Sequence, residues 1–273
     1  MAATTFIAPD GVELAADRLP GAGPTVVLLH AGVADRRAWH GVVAALADHG
    51  HDVVSYDRRG FGETPAAGEP DHVSDLRTVL EQATDAPAWL VGNSQGGRIA
   101  LDLALAEPDR VAGLVLIAPA VSGAPDPGDD ELDPGTLRID AAIEAADERG
   151  DAEAVNRLEA WLWLDGPLAA EGRVAGPARE LFLEMNAIAL AADWPDDAGP
   201  DEPGTWERLA EIAAPATVAW GELDLPYFAD QCRELAERLG NVRAAIELPG
   251  VAHLPGLEDP GGVARLIADA VAG

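Results

Sequence analysis

Lysine is absent from this chain of 273 residues, and all 18 of its basic residues are arginine. They face 48 acidic residues, which gives a formal net charge of −30. A surface this acidic repels nucleic acid and anionic membranes, so neither is expected as a partner. Two explanations of the composition stay open. One is a halophilic host, and the other is a GC-rich genome, which the abundant alanine, glycine and proline favour.

Cysteine and long apolar segments are also scarce. Cys232 is the single cysteine, so no intrachain disulfide can form and a reducing cytoplasm is the expected compartment. It falls on a predicted surface helix, where we expect a structural thiol. No apolar run approaches the roughly 18 residues that cross a bilayer, and the first residues do not resemble a signal peptide. The longest run, residues 111–120, is typical of a buried strand.

Strands and helices alternate along most of the chain. The first two strands flank the turn tripeptide Pro9-Asp10-Gly11 and are predicted to form a hairpin. Several later strands are continuously apolar, which is typical of a parallel sheet covered by helices on both faces. We therefore predict an α/β fold with a mostly parallel eight-stranded sheet. The predicted strands are residues 4–8, 12–18, 25–30, 52–56, 88–93, 111–118, 216–220 and 243–248, and the helices around them are 37–49, 71–83, 98–106, 227–239 and 261–271.

The alternation is interrupted after Pro119. The following segment shows no strand pattern and is predicted to form helices over 136–149, 152–164 and 177–191. We interpret residues 120–205 as a helical cap inserted into a core made of residues 1–119 and 206–273.

The stretch Gly92-Asn-Ser-Gln-Gly-Gly97 lies between a predicted strand and a predicted helix. A G-x-S-x-G in that position is a nucleophile elbow. The turn is so tight that side chains at positions 92 and 96 would collide with neighbouring backbone, so both are glycine. The strain lifts the Ser94 hydroxyl above the sheet and directs the backbone amide of Gln95 towards the group under attack.

A serine nucleophile needs a base, and the base needs an acid that orients it. His253 follows the last predicted strand and is the candidate base. Asp224 follows the strand before it and is the candidate acid, ahead of Glu222 and Asp230 because those two fall at the strand end and on the next helix. All three candidate positions are at carboxyl ends of parallel strands, where open α/β sheets bind ligands.

These motifs, in the order serine, acid, histidine, resemble those of the cap-bearing α/β-hydrolase-fold enzymes over the chain outside residues 120–205. Three further segments share the resemblance: Leu28-Leu-His-Ala-Gly-Val33 is similar to the oxyanion loop, Tyr56-Asp-Arg-Arg-Gly-Phe-Gly-Glu-Thr64 to a loop that shapes the site, and His253-Leu-Pro-Gly-Leu-Glu-Asp-Pro260 to the ending of the family. Ala31 stands where the family usually has glycine.

The resemblance implies a Ser94–His253–Asp224 triad that cleaves a carboxylic ester or lactone through an acyl-enzyme. It implies an oxyanion hole made by the amides of Gln95 and Gly32, with Val33 as the alternative to Gly32. His30 is expected to brace the oxyanion loop. No metal or organic cofactor is expected, and the partner is a small-molecule substrate.

The substrate is less well indicated than the chemistry. The ending resembles that of enol-lactonases, whereas the elbow resembles that of C–C bond hydrolases, which usually carry tryptophan where this chain has Leu254. Haloperoxidase or perhydrolase chemistry is a conceivable side reaction. A small-molecule receptor with slow turnover is the alternative from another class. Candidate substrate contacts are Val33, Trp161, Trp163 and Leu254, and the two tryptophans, two positions apart on a helix, cannot both face one way.

Overall fold

An eight-stranded sheet forms the centre of the protein. The computed structural model describes residues 1–68, 71–128, 132–192 and 204–273. The strand order is β1-β2-β4-β3-β5-β6-β7-β8, in which β1 pairs antiparallel with β2, β2 pairs antiparallel with β4, and the remaining pairs are parallel. The strands are β1 (Ala2–Ile7), β2 (Glu13–Leu19), β3 (Thr25–Leu29), β4 (Asp52–Tyr56), β5 (Ala88–Asn93), β6 (Val111–Ile117), β7 (Ala216–Gly221) and β8 (Val242–Leu248). The predicted fold class is confirmed.

Helices cover both faces of the sheet. On one face α2 (His72–Ala83), α3 (Gln95–Ala106) and α8 (Pro226–Arg238) share a hydrophobic core with the strands. On the other face α1 (His40–Leu46) and α10 (Pro260–Ala272) pack over a second core. Strands β3, β4 and β6 lie between the two layers and are almost entirely buried, which explains the apolar runs of β3 and β6.

The abundant aspartate has a structural use at helix ends. Asp71, Asp133, Asp151 and Asp259 precede four of the described helices, and each carboxylate accepts a backbone N–H from the first turn. Such caps satisfy amides that have no partner inside the helix, and each stabilises the helix by about 1 kcal/mol.

Helices also fill the described part of the chain between β6 and β7. They are α4 (Pro134–Asp147), α5 (Ala152–Glu159) and α6 (Pro177–Ala191), followed by the short α7 (Thr205–Arg208) before β7. The helix predicted over 152–164 is divided, because α5 continues as a π-helical turn over Ala160–Asp165. Residues 129–131 and 193–203 of the predicted insertion lie outside the described residues.

Cys232 lies on α8, but its side chain is fully buried in the core beneath that helix. Burial raises the pKa of its thiol well above the ordinary value. The helix is exposed on its other face, so the expectation of a surface helix is correct while the thiol itself is inaccessible. Within the part of the chain that the structure describes, no helix is both long and apolar enough to span a bilayer.

Candidate active site

Ser94 lies at the turn between β5 and α3. Its backbone has φ 53° and ψ −118°, a conformation that a residue with a Cβ rarely adopts. Hydrogen bonds hold the turn in place. The Ser94 amide donates to Ile117 O at 3.0 Å, and the Ser94 carbonyl accepts from the amides of Gly97 at 2.9 Å and Ala120 at 3.0 Å. The strain is therefore maintained by the ends of the neighbouring elements.

Three glycines make this turn possible. A Cβ on Gly92 would lie 2.4 Å from Gly96 O, and one on Gly96 would lie 2.3 Å from Leu29 O. A Cβ on Gly97 would lie 2.4 Å from the Pro119 side chain. The collisions expected at positions 92 and 96 are thus present, and position 97 is restricted as well.

Asp224 and His253 meet at the carboxyl ends of β7 and β8. Both carboxylate oxygens of Asp224 lie 3.0 Å from His253 Nδ1. Asp224 Oδ1 also accepts the backbone N–H of Leu225 at 2.8 Å. The side chains of both residues are almost fully buried. A carboxylate held this way keeps Nδ1 protonated and leaves Nε2 free to accept a proton.

The two competing carboxylates are occupied elsewhere. Glu222 accepts the backbone N–H of Gly250 at 2.8 Å, and Asp230 pairs with Arg233 on the exposed face of α8. The structure therefore brings Asp224, and not these two residues, to the imidazole.

Aromatic rings pack against His253. The ring centroids of Trp163 and Phe228 lie 4.8 Å and 4.7 Å from that of the imidazole. Trp163 comes from the π-helical turn and Phe228 from the first turn of α8. Phe228 is absent from the predicted site, since nothing in its surrounding sequence marks it. The two rings keep water away from the histidine and its carboxylate partner.

Asn93 joins the elbow to the histidine loop, residues 249–254 between β8 and α9 (Pro255–Glu258). Its side-chain amide donates to Ile117 O and to His253 O, each at 3.0 Å. Because β6 and β7 separate β5 from β8 in the sheet, the histidine loop has to reach back across two strand ends to make this contact. Asn93 is a further residue that the sequence did not single out.

Glu258 fixes the other end of the histidine loop. One oxygen accepts the Ala252 amide at 2.7 Å, and the other pairs with Arg173 at 2.5 Å. Arg173 also donates to Leu164 O at 2.8 Å and to Asp165 O at 2.7 Å, at the end of the π-helical turn. Burial is the main cause of a raised pKa for Glu258. This ion pair couples the helical segment to the loop that carries His253.

The candidate oxyanion loop, the segment that ends at Val33 after β3, lies beside the N-terminus of α3. The Gln95 side chain packs closely against Gly32: a Cβ added to Gly32 would lie only 2.9 Å from Gln95 Cδ. His30 Nδ1 lies 2.8 Å from Ala31 O, and His30 Nε2 accepts the Arg58 amide at 3.0 Å. His30 therefore braces this loop. The pKa of His30 lies well below the ordinary value, mainly because the side chain is buried, so the ring stays neutral.

The candidate substrate contacts separate into two groups. Val33, Trp163 and Leu254 belong to one apolar cluster that joins the oxyanion loop, the histidine loop and α6. Trp161 turns away, since its Nε1 donates to Ala169 O at 3.0 Å and its ring packs under Arg138. Among the described residues, no group of three or more histidine, cysteine and carboxylate side chains is arranged to hold a metal ion.

Comparison with known proteins agrees with this architecture. A profile of the alpha/beta hydrolase fold family matches residues 24–260, and the chain belongs to this family. It is 33% identical to lipase LipV of Mycobacterium tuberculosis (strain ATCC 25618 / H37Rv) over 78% of this chain and 72% of that protein. It is 28% identical, over 95% of both chains, to a Bacillus subtilis (strain 168) protein provisionally named 2-succinyl-6-hydroxy-2,4-cyclohexadiene-1-carboxylate synthase.

A solved structure shares the fold over the whole chain. It is a thermophilic esterase from Thermogutta terrifontis, with a TM-score of 0.76, 22% identity, and coverage of 100% of this chain and 98% of that one. The family match and the relative named as a lipase support the class of hydrolase for this chain.

Proposed function

We propose that this hydrolase is a serine esterase that cleaves small to medium carboxylic esters or lactones through an acyl-enzyme. The observation that carries the proposal is the pairing of Asp224 with His253 Nδ1, through both oxygens at 3.0 Å, together with the backbone of Ser94 at φ 53°. The relative named as a lipase supports ester hydrolysis over other reactions of this fold.

In this mechanism Ser94 Oγ attacks the carbonyl carbon of the ester while His253 Nε2 takes its proton. The amides of Gln95 and Gly32 stabilise the resulting oxyanion, with Val33 as the alternative to Gly32. When the tetrahedral intermediate collapses, the C–O bond to the alcohol breaks and the alcohol leaves with the proton from His253. Water then attacks the acyl-enzyme in the same way and releases the acid. Each oxyanion donor lowers the barrier by about 3–4 kcal/mol.

We also propose that residues 120–205 act as a cap over a core formed by residues 1–119 and 206–273. The contact between Trp163 and His253 and the ion pair between Arg173 and Glu258 support this division. The apolar cluster around Val33 and Leu254 favours an apolar acyl group. Buried Cys232 is compatible with a reducing cytoplasm as the compartment.

The test is hydrolysis of p-nitrophenyl acetate, butyrate and octanoate, combined with labelling by a fluorophosphonate. We expect turnover above about one per second on the best ester, and one phosphonyl group on the peptide that contains Ser94 by mass spectrometry. Label on another residue would contradict the proposed nucleophile. Labelled Ser94 with only slow ester turnover would favour a C–C bond substrate or the receptor alternative.

Trp163 is expected to protect the histidine. We expect Trp163→Ala to lower kcat/KM for p-nitrophenyl butyrate about tenfold, because water then reaches His253 and the substrate loses an apolar contact. Steady-state kinetics measure the effect. Trp163→Phe, which keeps a ring, should recover most of the activity. Trp161→Phe is the matched control, since Trp161 faces away, and an equal loss in that variant would contradict a specific role for Trp163.

A further inference from the structure

Arg58 is a buried cation beside the candidate oxyanion hole. Its side chain is 1% exposed, and no carboxylate of the described residues lies within 4.0 Å of its guanidinium. Its Nε has no hydrogen-bond partner, and the ring of Phe61 covers its guanidinium at 4.3 Å. Burial of a charge without a counter-ion destabilises the folded state, which indicates that the Arg58 guanidinium has a functional role. The neighbouring Arg59, by contrast, pairs with Asp75 and Asp10.

The two terminal nitrogens of the Arg58 guanidinium donate hydrogen bonds to the residues on either side of the candidate oxyanion hole. Nη1 donates to Gln95 Oε1 at 2.9 Å, and Nη2 donates to Ala31 O at 3.1 Å. Ala31 O also receives the Nδ1–H of His30, which the acceptor role of His30 Nε2 leaves protonated. Both lone pairs of this carbonyl are therefore occupied.

The hydrogen bonds to Ala31 O fix the direction of the Gly32 N–H. The carbonyl of Ala31 and the amide of Gly32 belong to the same planar trans peptide, so they point in opposite directions. Two donors that hold the oxygen therefore hold the Gly32 N–H as well. They also polarise the peptide and make its N–H a stronger donor. The other donor, the Gln95 amide, belongs to the residue whose side chain the same arginine holds.

We propose that Arg58 is the positioning residue of the oxyanion hole: its guanidinium joins the Ala31–Gly32 peptide to Gln95 and places an uncompensated positive charge behind both donors. The inference rests on the proposed function, because it assigns Arg58 to the oxyanion hole of that reaction. Arg58 touches neither the reacting atoms nor the substrate, so it acts through the two amides. Burial lowers its pKa to about 10, so the side chain stays charged at neutral pH.

The test compares Arg58→Met and Arg58→Lys with the wild type. Removal of a charge that stabilises only the transition state lowers kcat and leaves KM nearly unchanged. We expect Arg58→Met to lower kcat for p-nitrophenyl butyrate about 100-fold with KM within about threefold. Inhibition by an alkyl trifluoromethyl ketone, which forms a tetrahedral oxyanion on Ser94, should weaken about 100-fold. Arg58→Lys keeps the charge but reaches one acceptor, so an approximately tenfold loss is expected.

A readout independent of hydrolysis accompanies the kinetics. In protein labelled with ¹⁵N-glycine, the amide resonance of Gly32 should shift in Arg58→Met, and its hydrogen exchange should become faster. Arg59→Met is the matched control, because it removes a buried arginine from the same loop without touching Ala31 or Gln95. Urea unfolding shows which variants are folded. If Arg58→Met or Arg59→Met does not fold, Arg58→Lys is compared with Arg59→Lys instead.

The possible results separate the inference from the proposed function. An unchanged kcat, ketone affinity and Gly32 resonance in Arg58→Met would overturn the inference alone, as would an equal loss of kcat in Arg59→Met. A wild type without Ser94-dependent ester hydrolysis would overturn the proposed function, and with it the assignment of Arg58 to an oxyanion hole. In that case a shift of the Gly32 amide would show only that Arg58 orders the loop.

Discussion

Ser94→Ala is expected to lower kcat for p-nitrophenyl butyrate by at least about 10,000-fold, because the acyl-enzyme cannot form without the hydroxyl. KM should change little, since the hydroxyl contributes little to ground-state binding. The measurement is steady-state hydrolysis at concentrations of enzyme high enough to detect the residual rate. The effect should be at least as large as that of any other single substitution, because His253 and Asp224 act through this oxygen.

Ser94→Gly is the matched control for the fold. It removes the same hydroxyl but accepts φ 53° without strain. We expect both variants to be inactive, and the free energy of unfolding to be about 1–2 kcal/mol higher for glycine than for alanine. Urea unfolding measures the difference. If Ser94→Ala or Ser94→Gly kept more than a few per cent of the wild-type kcat, another residue would be the nucleophile.

Asp224→Asn is expected to lower kcat about 10,000-fold. An asparagine amide can donate to Nδ1 of His253, which would leave the proton on Nε2 and prevent that atom from acting as a base. It also cannot stabilise the imidazolium that forms during attack. Kinetics with p-nitrophenyl butyrate measure the loss, and because asparagine is isosteric with aspartate, KM should remain within a few-fold of the wild-type value.

Glu222→Gln and Asp230→Asn are the controls for this assignment. Each removes one of the competing carboxylates, and neither carboxylate contacts the imidazole, so both variants should keep kcat within about threefold of the wild-type value. If Glu222→Gln instead lost as much activity as Asp224→Asn, the acid would be at the strand end and the predicted triad would be wrong.

Local constraints explain what the sequence predicts well. The elbow is recognisable because the tight turn needs glycines at fixed positions around Ser94. A Cβ on Gly92 would collide with Gly96 O, and one on Gly96 would collide with Leu29 O at the end of the neighbouring strand. The central strands β3 and β6 are recognisable because burial on both faces favours continuous apolar runs. Asp224 and His253 follow their strands directly, so the order of elements already places them at one edge of the sheet.

The remaining features depend on contacts between distant segments. Asn93 and His253 are 160 positions apart, and no local pattern states that the asparagine amide reaches the carbonyl of the histidine. Phe228 approaches the imidazole because of the way α8 begins. The sequence does not distinguish Trp163 from Trp161, and the π-helical turn after α5 directs Trp163 to His253. Arg58 belongs to a loop motif in the sequence, and only the fold buries it against Ala31 and Gln95.

The link between Asn93 and His253 also has a consequence for folding. It closes a loop of more than half the chain, and closing long loops is among the slow steps by which a sheet forms. A nascent chain that has completed β1 to β6 already carries the elbow, yet it lacks the segments with Asp224 and His253. If the proposed triad is correct, the chain therefore becomes active only when the C-terminal edge of the sheet has docked, late in its synthesis.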